Sequence, residues 1–284
     1  MTLRIDAHQH YWQLDCGHGD WPPADLTAIY KDFTPQDMAP NLRTCGIDGT
    51  VVVQSNPHLG DTRFLLDLAE RHDSIKGVVG WVDLLSPDAA QDIANLARHT
   101  KFKGVRAMLQ DQPAVTWIED PRIQPAIDML IKHDLSLDAL VSPVQIQSLV
   151  ILAKRNHELR IVIDHGGKPE IANRKADPWL FHLQQLAACP NVYCKLSGLL
   201  TEAASGEGLE VLRPYMDDIL MSFGTVRVMW GSDWPVINLA SDYVTWWQIC
   251  HRYLYEHSAL SIRKNAEGIL GMNACRFYRL DTSA

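Results

Sequence analysis

His8 and His10 stand two residues apart in the stretch Asp6-Ala7-His8-Gln9-His10. On an extended chain, side chains at i and i+2 leave the same face about 7 Å apart, so two imidazoles can converge on one point. A third imidazole occurs in Asp164-His165-Gly166-Gly167-Lys168-Pro169, and a carboxylate in Gly231-Ser232-Asp233-Trp234-Pro235. Imidazoles with a carboxylate can do two kinds of chemistry. They can take a proton from water as a general base, or hold a divalent cation and leave an open position for water. Taken singly, each stretch has a plain structural reading: hydrogen-bonded histidines for the first two, a strand-end turn for the third.

The elements that carry these residues decide between the readings. Short runs rich in Val, Ile and Leu predict strands over Leu3–His8, Thr50–Gln54, Gly77–Val82, Gly104–Met108, Ser136–Leu140, Arg160–Asp164, Val192–Leu196 and Val226–Trp230. Between them apolar residues recur at helical spacing, as in Ile93–Leu96–Ala97 and Ile127–Leu130–Ile131. Asp61, Ser86-Pro87, Asp120-Pro121, Ser142-Pro143 and Asp177-Pro178 supply capping residues or prolines where helices should begin. Eight strand-then-helix units predict an α/β fold, a closed (β/α)8 TIM barrel, as one domain over residues 1–284. A doubly wound open sheet is the structural alternative, but it calls for a Gly-rich turn after the first strand, where this chain has His-Gln-His. A long loop follows the first strand at Gln13–Pro35, suited to a substrate lid or to packing over the barrel end, and Ser258–Tyr278 predicts one or two closing helices.

In such a barrel the active site lies at the C-terminal strand ends. The first strand delivers His8 and His10 there, the sixth His165, the eighth Asp233; the second adds Gln54 and Asn56, the third Trp81 and Asp83, the fourth Arg106, the seventh Lys195 and Ser197. Three histidines and an aspartate at one end of a barrel form a polar cluster that an apolar core does not tolerate without a function or full satisfaction. Lys195 reads as a satisfied barrel lysine.

These motifs resemble the amidohydrolase superfamily, and within it the branch of sugar-acid lactonases and 2-pyrone-4,6-dicarboxylate lactonase. Val51-Val52-Val53-Gln54, Gly104-Val105-Arg106, Lys195-Leu196-Ser197-Gly198-Leu199 and Asn273-Ala274-Cys275-Arg276-Phe277-Tyr278 extend the resemblance along the chain. The resemblance implies a hydrolase that opens a lactone ring with water, with Asp233 as general base and His8, His10 and His165 around the water and the scissile carbonyl. Arg106 and Lys168 are candidate donors to the carbonyl or to a substrate carboxylate; the structural alternatives are an ion pair for Arg106 and loop orientation for Lys168.

His8, His10 and Asp233, with His165, are also a plausible zinc set. Metal-dependent members of the superfamily usually add a His or a modified Lys from strand four or five. This chain offers Arg106 and Met108 on one and Ser-Leu-Asp-Ala-Leu-Val on the other. A single divalent metal, not strictly required, is the expectation. Gln54, Asn56, Trp81, Arg106, Lys168 and Trp234 are the expected substrate-binding residues, with the lid residues Trp12, Trp21 and Tyr30 nearby. Aromatic platforms with polar donors suit a polyhydroxylated ring, so aldonolactones such as L-fucono-, L-rhamnono- or L-galactonolactone lead. The dicarboxylate lactone is second, and a metal-dependent decarboxylase on the same scaffold is the alternative from another class.

A net charge of −8 from 26 Lys+Arg and 34 Asp+Glu argues against nucleic acid or an anionic membrane as partner. The six cysteines, Cys16, Cys45, Cys189, Cys194, Cys250 and Cys275, form no CxxC pair and read as reduced thiols. With neither a secretory core at the N-terminus nor a run of roughly 20 apolar residues, a cytoplasmic protein is expected. Its partner is a small-molecule lactone, and the sequence leaves room for a homo-oligomer.

Overall fold

The computed structural model describes residues 2–15 and 17–281. Eight parallel strands lie in sequential order: β1 (Ile5–Gln9), β2 (Gly49–Val53), β3 (Ile75–Gly80), β4 (Phe102–Met108), β5 (Ser136–Leu140), β6 (Arg160–Ile163), β7 (Val192–Leu196) and β8 (Val228–Trp230). Each is followed by a helix of the outer layer: α1 (Pro35–Cys45), α2 (Leu59–Arg71), α3 (Ala89–Leu96), α4 (Gln124–Lys132), α5 (Ile146–Arg155), α6 (Trp179–Ala187), α7 (Leu209–Phe223) and α8 (Tyr243–Tyr255). The (β/α)8 barrel expected from the strand count is the observed fold. The short helices α9 (Leu260–Lys264) and α10 (Asn273–Tyr278), joined by a π-helical turn over Gly268–Met272, close the chain as expected. Among the described residues no helix is long and apolar enough to cross a membrane.

The strands are where the Val/Ile/Leu runs lie, shifted by a residue or two at their ends. The sixth stops at Ile163 because His165 and Gly166 turn into the left-handed region (φ 53° and 60°), which breaks the extended chain before the loop. One helix start also differs. α2 begins ahead of Asp61, capped by the His58 ring, which accepts from the Gly60 amide. Asp61 instead turns inward and accepts from the Ser55 amide at 3.1 Å. Ser142 and Gln145 form a capping box before α5, as the Ser-Pro signal anticipated.

Apolar burial falls into two layers. One lies between strands and outer helices, with Trp179, Trp230 and Trp246 among its largest members. The other fills the lower barrel: Ile5, Ala7, Val51, Val53, Val79, Val162 and Met229 pack onto Ala274, Cys275, Phe277, Tyr278 and Leu280 from the C-terminal segment. α10 is thus a plug under the barrel, which leaves the opposite mouth for a site. Five free cysteines are buried; Cys16, the sixth, lies outside the described residues.

The long loop is pinched at its base, where the Trp12 and Phe33 backbones exchange hydrogen bonds of 3.2 and 3.0 Å. The seam between β1 and β8 is closed past the end of β8. The Asp233 amide donates to the His8 carbonyl at 2.8 Å and the His10 amide to the Trp234 carbonyl at 2.7 Å. Asp6 Oδ1 accepts from the amides of His8 (3.1 Å) and Ser232 (2.9 Å), tying the two chain segments through one buried carboxylate. Burial pushes this carboxyl up to about 6 despite the Ser232 and His8 amides. Replacing Asp6 by Ala should leave two buried amides without an acceptor and cost about 2 kcal/mol or more in urea unfolding, with Asp6→Asn retaining most of the stability because its amide oxygen still accepts. Equal stability of D6A and the parent would show that the seam does not depend on Asp6.

Candidate active site

β1 itself and the segments just after β1, β6 and β8 bring the four expected residues together, each nearly or fully buried. His8 Nε2 lies 3.1 Å from His10 Nε2 and 3.6 Å from Asp233 Oδ1, which in turn is 3.3 Å from His10 Nε2 and 3.9 Å from His165 Nε2. The backbone is bent to achieve this: Asp233 and His165 both hold φ near +55°, an uncommon conformation for residues with a Cβ. Gly198 lies behind His165 at φ 63°, where a Cβ would come within 2.5 Å of the imidazole Nδ1.

His10, His165 and Asp233 form one wall of a cavity of about 330 Å³, lined also by Trp21, Ser55, Arg106, Met108, Leu140, Lys168, Glu202 and Val236. Arg106 is 4% exposed. Its Nη2 donates to the Gln54 carbonyl and, at 3.2 Å, to Gln54 Oε1, and its Nη1 is 4.0 Å from Asp164 Oδ2. Gln54 therefore orients Arg106 from behind and does not itself line the cavity. Lys168 also lines the cavity, 3.2 Å from Glu202 Oε1. Asn56 lines the adjoining cleft and fixes the long loop, accepting from the Trp21 amide at 3.1 Å. Trp21 is the residue of that loop that lines the cavity, while Trp12 is buried beneath with its indole donating to the Lys31 carbonyl. The structure places the other two expected binding residues off the cavity wall. Trp234 packs edge-on against Tyr11 and Phe33, and Trp81 is held through its backbone by the Thr62 hydroxyl.

Three further groups contact the imidazoles or their partners. Ser197 Oγ is 2.9 Å from His165 Nδ1. Lys195, with no exposed surface, lies 2.6 Å from Asp138 Oδ2, 2.9 Å from Asp164 Oδ1 and 3.1 Å from His8 Nδ1. Asp138 also accepts from Ser136 (2.9 Å) and from the Tyr278 hydroxyl (2.5 Å). Lys195 is thus a paired barrel lysine, as expected. Asp138 went unread, although a charge inside an apolar strand (Ser-Leu-Asp-Ala-Leu) is the signal that could have found it.

Burial lowers the pKa of His165 to about 4, outweighing the pull of Asp233 and Asp164. Burial, reinforced by the Lys195 ammonium, holds His8 well below its ordinary value. For Asp233 burial works in the opposite direction, but the surrounding His165, His10 and His8 outweigh it and hold the carboxyl below the ordinary range. At neutral pH Asp233 is a carboxylate beside the neutral imidazoles of His8 and His165.

That donor set fits a divalent cation. His10 Nδ1 faces the Val53 carbonyl at 2.8 Å, which can only accept, so Nδ1 carries the proton; in a neutral ring Nε2 then presents a lone pair toward Asp233 Oδ1. Two acceptors 3.3 Å apart repel unless a cation or a hydrogen lies between them. The ligating atoms of His8, His165 and Asp233 all lie within 4.8 Å of one another, so His165 joins the set that the sequence centred on His8, His10 and Asp233.

A (β/α)8 barrel that presents imidazoles from its first and sixth strands and a carboxylate from its eighth, around a cavity at the strand ends, is laid out as a hydrolase that activates water. The chain belongs to the amidohydrolase family, whose model matches residues 5–280. It is 50% identical over 288 aligned positions to the L-fucono-1,5-lactonase of Burkholderia ambifaria, an alignment covering 99% of this chain and 97% of that one. A crystal structure of an amidohydrolase from Burkholderia multivorans with bound zinc superposes with a TM-score of 0.91 at 32% identity, over 98% of this chain and 100% of the other. A probable 2-pyrone-4,6-dicarboxylic acid hydrolase from Acinetobacter baumannii, with a TM-score of 0.80 at 17% identity over 99% and 100% of the two chains, shares the fold.

The His165 imidazole of metal-free protein should titrate near 4 by NMR, so that it is neutral above about pH 5 and cationic only below. Titration at the ordinary histidine value would show that burial does not control it. Replacing Gly198 by Ala should displace this ring and lower turnover by about tenfold or more while the barrel stays folded by circular dichroism; unchanged kinetics would show that the close approach does not matter.

Proposed function

We propose that this protein is a lactonase that opens the ring of a sugar-acid 1,5-lactone, with L-fucono-1,5-lactone the leading substrate. The observation that carries the reading is the Asp233 carboxylate, ringed by imidazole nitrogens at 3.3, 3.6 and 3.9 Å on the wall of a 330 Å³ cavity. The full-length likeness to an L-fucono-1,5-lactonase supports the choice of substrate. The cavity wall mixes hydroxyl, carboxylate and guanidinium groups with Trp21, Met108, Leu140 and Val236, which suits a ring with hydroxyls on one side and carbon on the other. A dicarboxylate lactone is less well served. Of the lining side chains only Arg106 and Lys168 are basic, and Lys168 already faces Glu202. A decarboxylase of the metal-dependent kind is disfavoured because β5 brings Asp138 into the Lys195 network and supplies no histidine.

In the reaction Asp233 takes a proton from water as the water oxygen bonds to the lactone carbonyl carbon. The imidazoles hold that carboxylate ionised and aligned, and Arg106 donates to the oxygen on which negative charge develops. The bond from carbonyl carbon to ring oxygen then breaks, and the ring oxygen leaves as a hydroxyl with the proton that Asp233 held. A divalent cation, when held by His8, His165 and Asp233 beside His10, supplies a water of lowered pKa and a Lewis acid for the carbonyl.

Asp233→Asn should lower kcat on L-fucono-1,5-lactone by about 10²–10⁴-fold with the fold intact, followed through acid release with a pH indicator. Turnover at the parental rate would remove Asp233 from the base role. Chelator treatment should leave substantial activity; complete loss, restored by zinc, would make the metal a requirement.

A further inference from the structure

Behind His8 a column of buried polar groups runs from the C-terminal plug to the site. It passes from Tyr278 through Asp138 and Lys195 to His8 Nδ1, and all four side chains are closed to solvent. An ammonium has three protons and no lone pair. Lys195 hydrogen-bonds Asp138 Oδ2 and His8 Nδ1 and is ion-paired with Asp164 Oδ1 at 2.9 Å, so each of these neighbours meets it as an acceptor. His8 Nδ1 is then an acceptor, and the ring of a neutral His8 carries its proton on Nε2. A second, separate contact requires the same. His10 Nε2 bears a lone pair because Nδ1 donates to Val53, so the 3.1 Å contact between the two Nε2 atoms needs the proton on His8. A cationic His10 would reverse that contact, but it would set a His8 Nδ1–H against the Lys195 ammonium, donor to donor at 3.1 Å.

We propose that Lys195 is a positioning residue that fixes the tautomer of His8, making it an N–H donor aimed at His10 and Asp233 and, in the resting protein, a poor metal ligand. Asp164 is the counterpart: its Oδ1 lies 3.4 Å from the same Nδ1 and is the acceptor that a reversed His8 would use. For His8 to bind a cation through Nε2, the ring must change tautomer: the Nε2 proton leaves to solvent and Nδ1 takes one from solvent, with the Lys195 N–H turned away. Metal capture at this site is therefore opposed from behind by one buried ammonium. Only the catalytic consequence rests on the lactonase reading; the tautomer does not.

The test is nitrogen-15 NMR of histidine-labelled, chelator-treated, full-length protein, with His8 assigned from an H8N sample. The proton should be found on Nε2. In the charge-balanced double variant K195M/D138N it should move to Nδ1, with zinc affinity by competition titration rising by about 10–100-fold. Metal-free kcat on L-fucono-1,5-lactone should fall by about tenfold or more with KM little changed. A His8 proton on Nδ1 in the parent, or an unaltered tautomer in the variant, would overturn the proposal; should the double variant not fold, the parent spectrum alone decides. A chain that failed to hydrolyse the lactone, yet showed the expected tautomer and zinc shift, would sink the lactonase reading and leave this one standing.

Discussion

The hydrogen bond from the Asp233 amide to the His8 carbonyl, with its companion from the His10 amide to Trp234, joins the last strand of the barrel to the first. A parallel barrel closes only if its terminal strands find each other, and this pair of bonds does so at the rim where the chemistry sits. Closure and site assembly are one event. The residues that complete the backbone ring also carry the imidazoles and the carboxylate. Asp6 reinforces the seam from below by accepting from His8 and Ser232 together. The left-handed backbone at Asp233 is tolerated because the bonds on either side of it over-determine its position.

Burying so much polarity requires compensation at each level of the barrel. At the bottom the C-terminal plug and the branched residues of the strands exclude water. Above them Lys195 lies between Asp138 and Asp164, with Arg106 4.0 Å from the latter. Two buried cations thus balance two buried carboxylates, which is the condition for charges to survive in a low-dielectric interior. Lys195 takes a raised pKa: burial pulls it down, but Asp138 and Asp164 more than restore it. Over this neutral platform sit imidazoles that burial keeps uncharged and a single carboxylate that they keep ionised. The chemistry of the mouth is therefore set by charge bookkeeping several ångströms beneath it.

Much of this was legible without coordinates because periodicity is a local property. Alternating strand and helix patterns predicted eight units, and β5 and β7 were bounded to the residue because turn signals flank them tightly. The four residues at the core of the site followed from the rule that strand ends carry function. Trp234 and Trp81 misled because an aromatic near a strand end can pack inward or face a cavity, and residue type does not distinguish the two. The pairing of Asp138 with Tyr278 went unread for a different reason. They meet across 140 residues of chain, and no spacing rule reaches that far.

By itself the amino-acid order determined the barrel, the end of it that matters, and which imidazoles and carboxylate belong together. Those follow from hydrophobic period and from the cost of leaving polar groups unpaired in a core. Which nitrogen of each imidazole holds its proton, which aromatic faces the cavity, and how Lys195 reaches His8 from 187 positions away were decided only by tertiary structure. The reason is that a tautomer is set by the partner atom within hydrogen-bond reach, and such a partner exists only after the strands have closed into a ring.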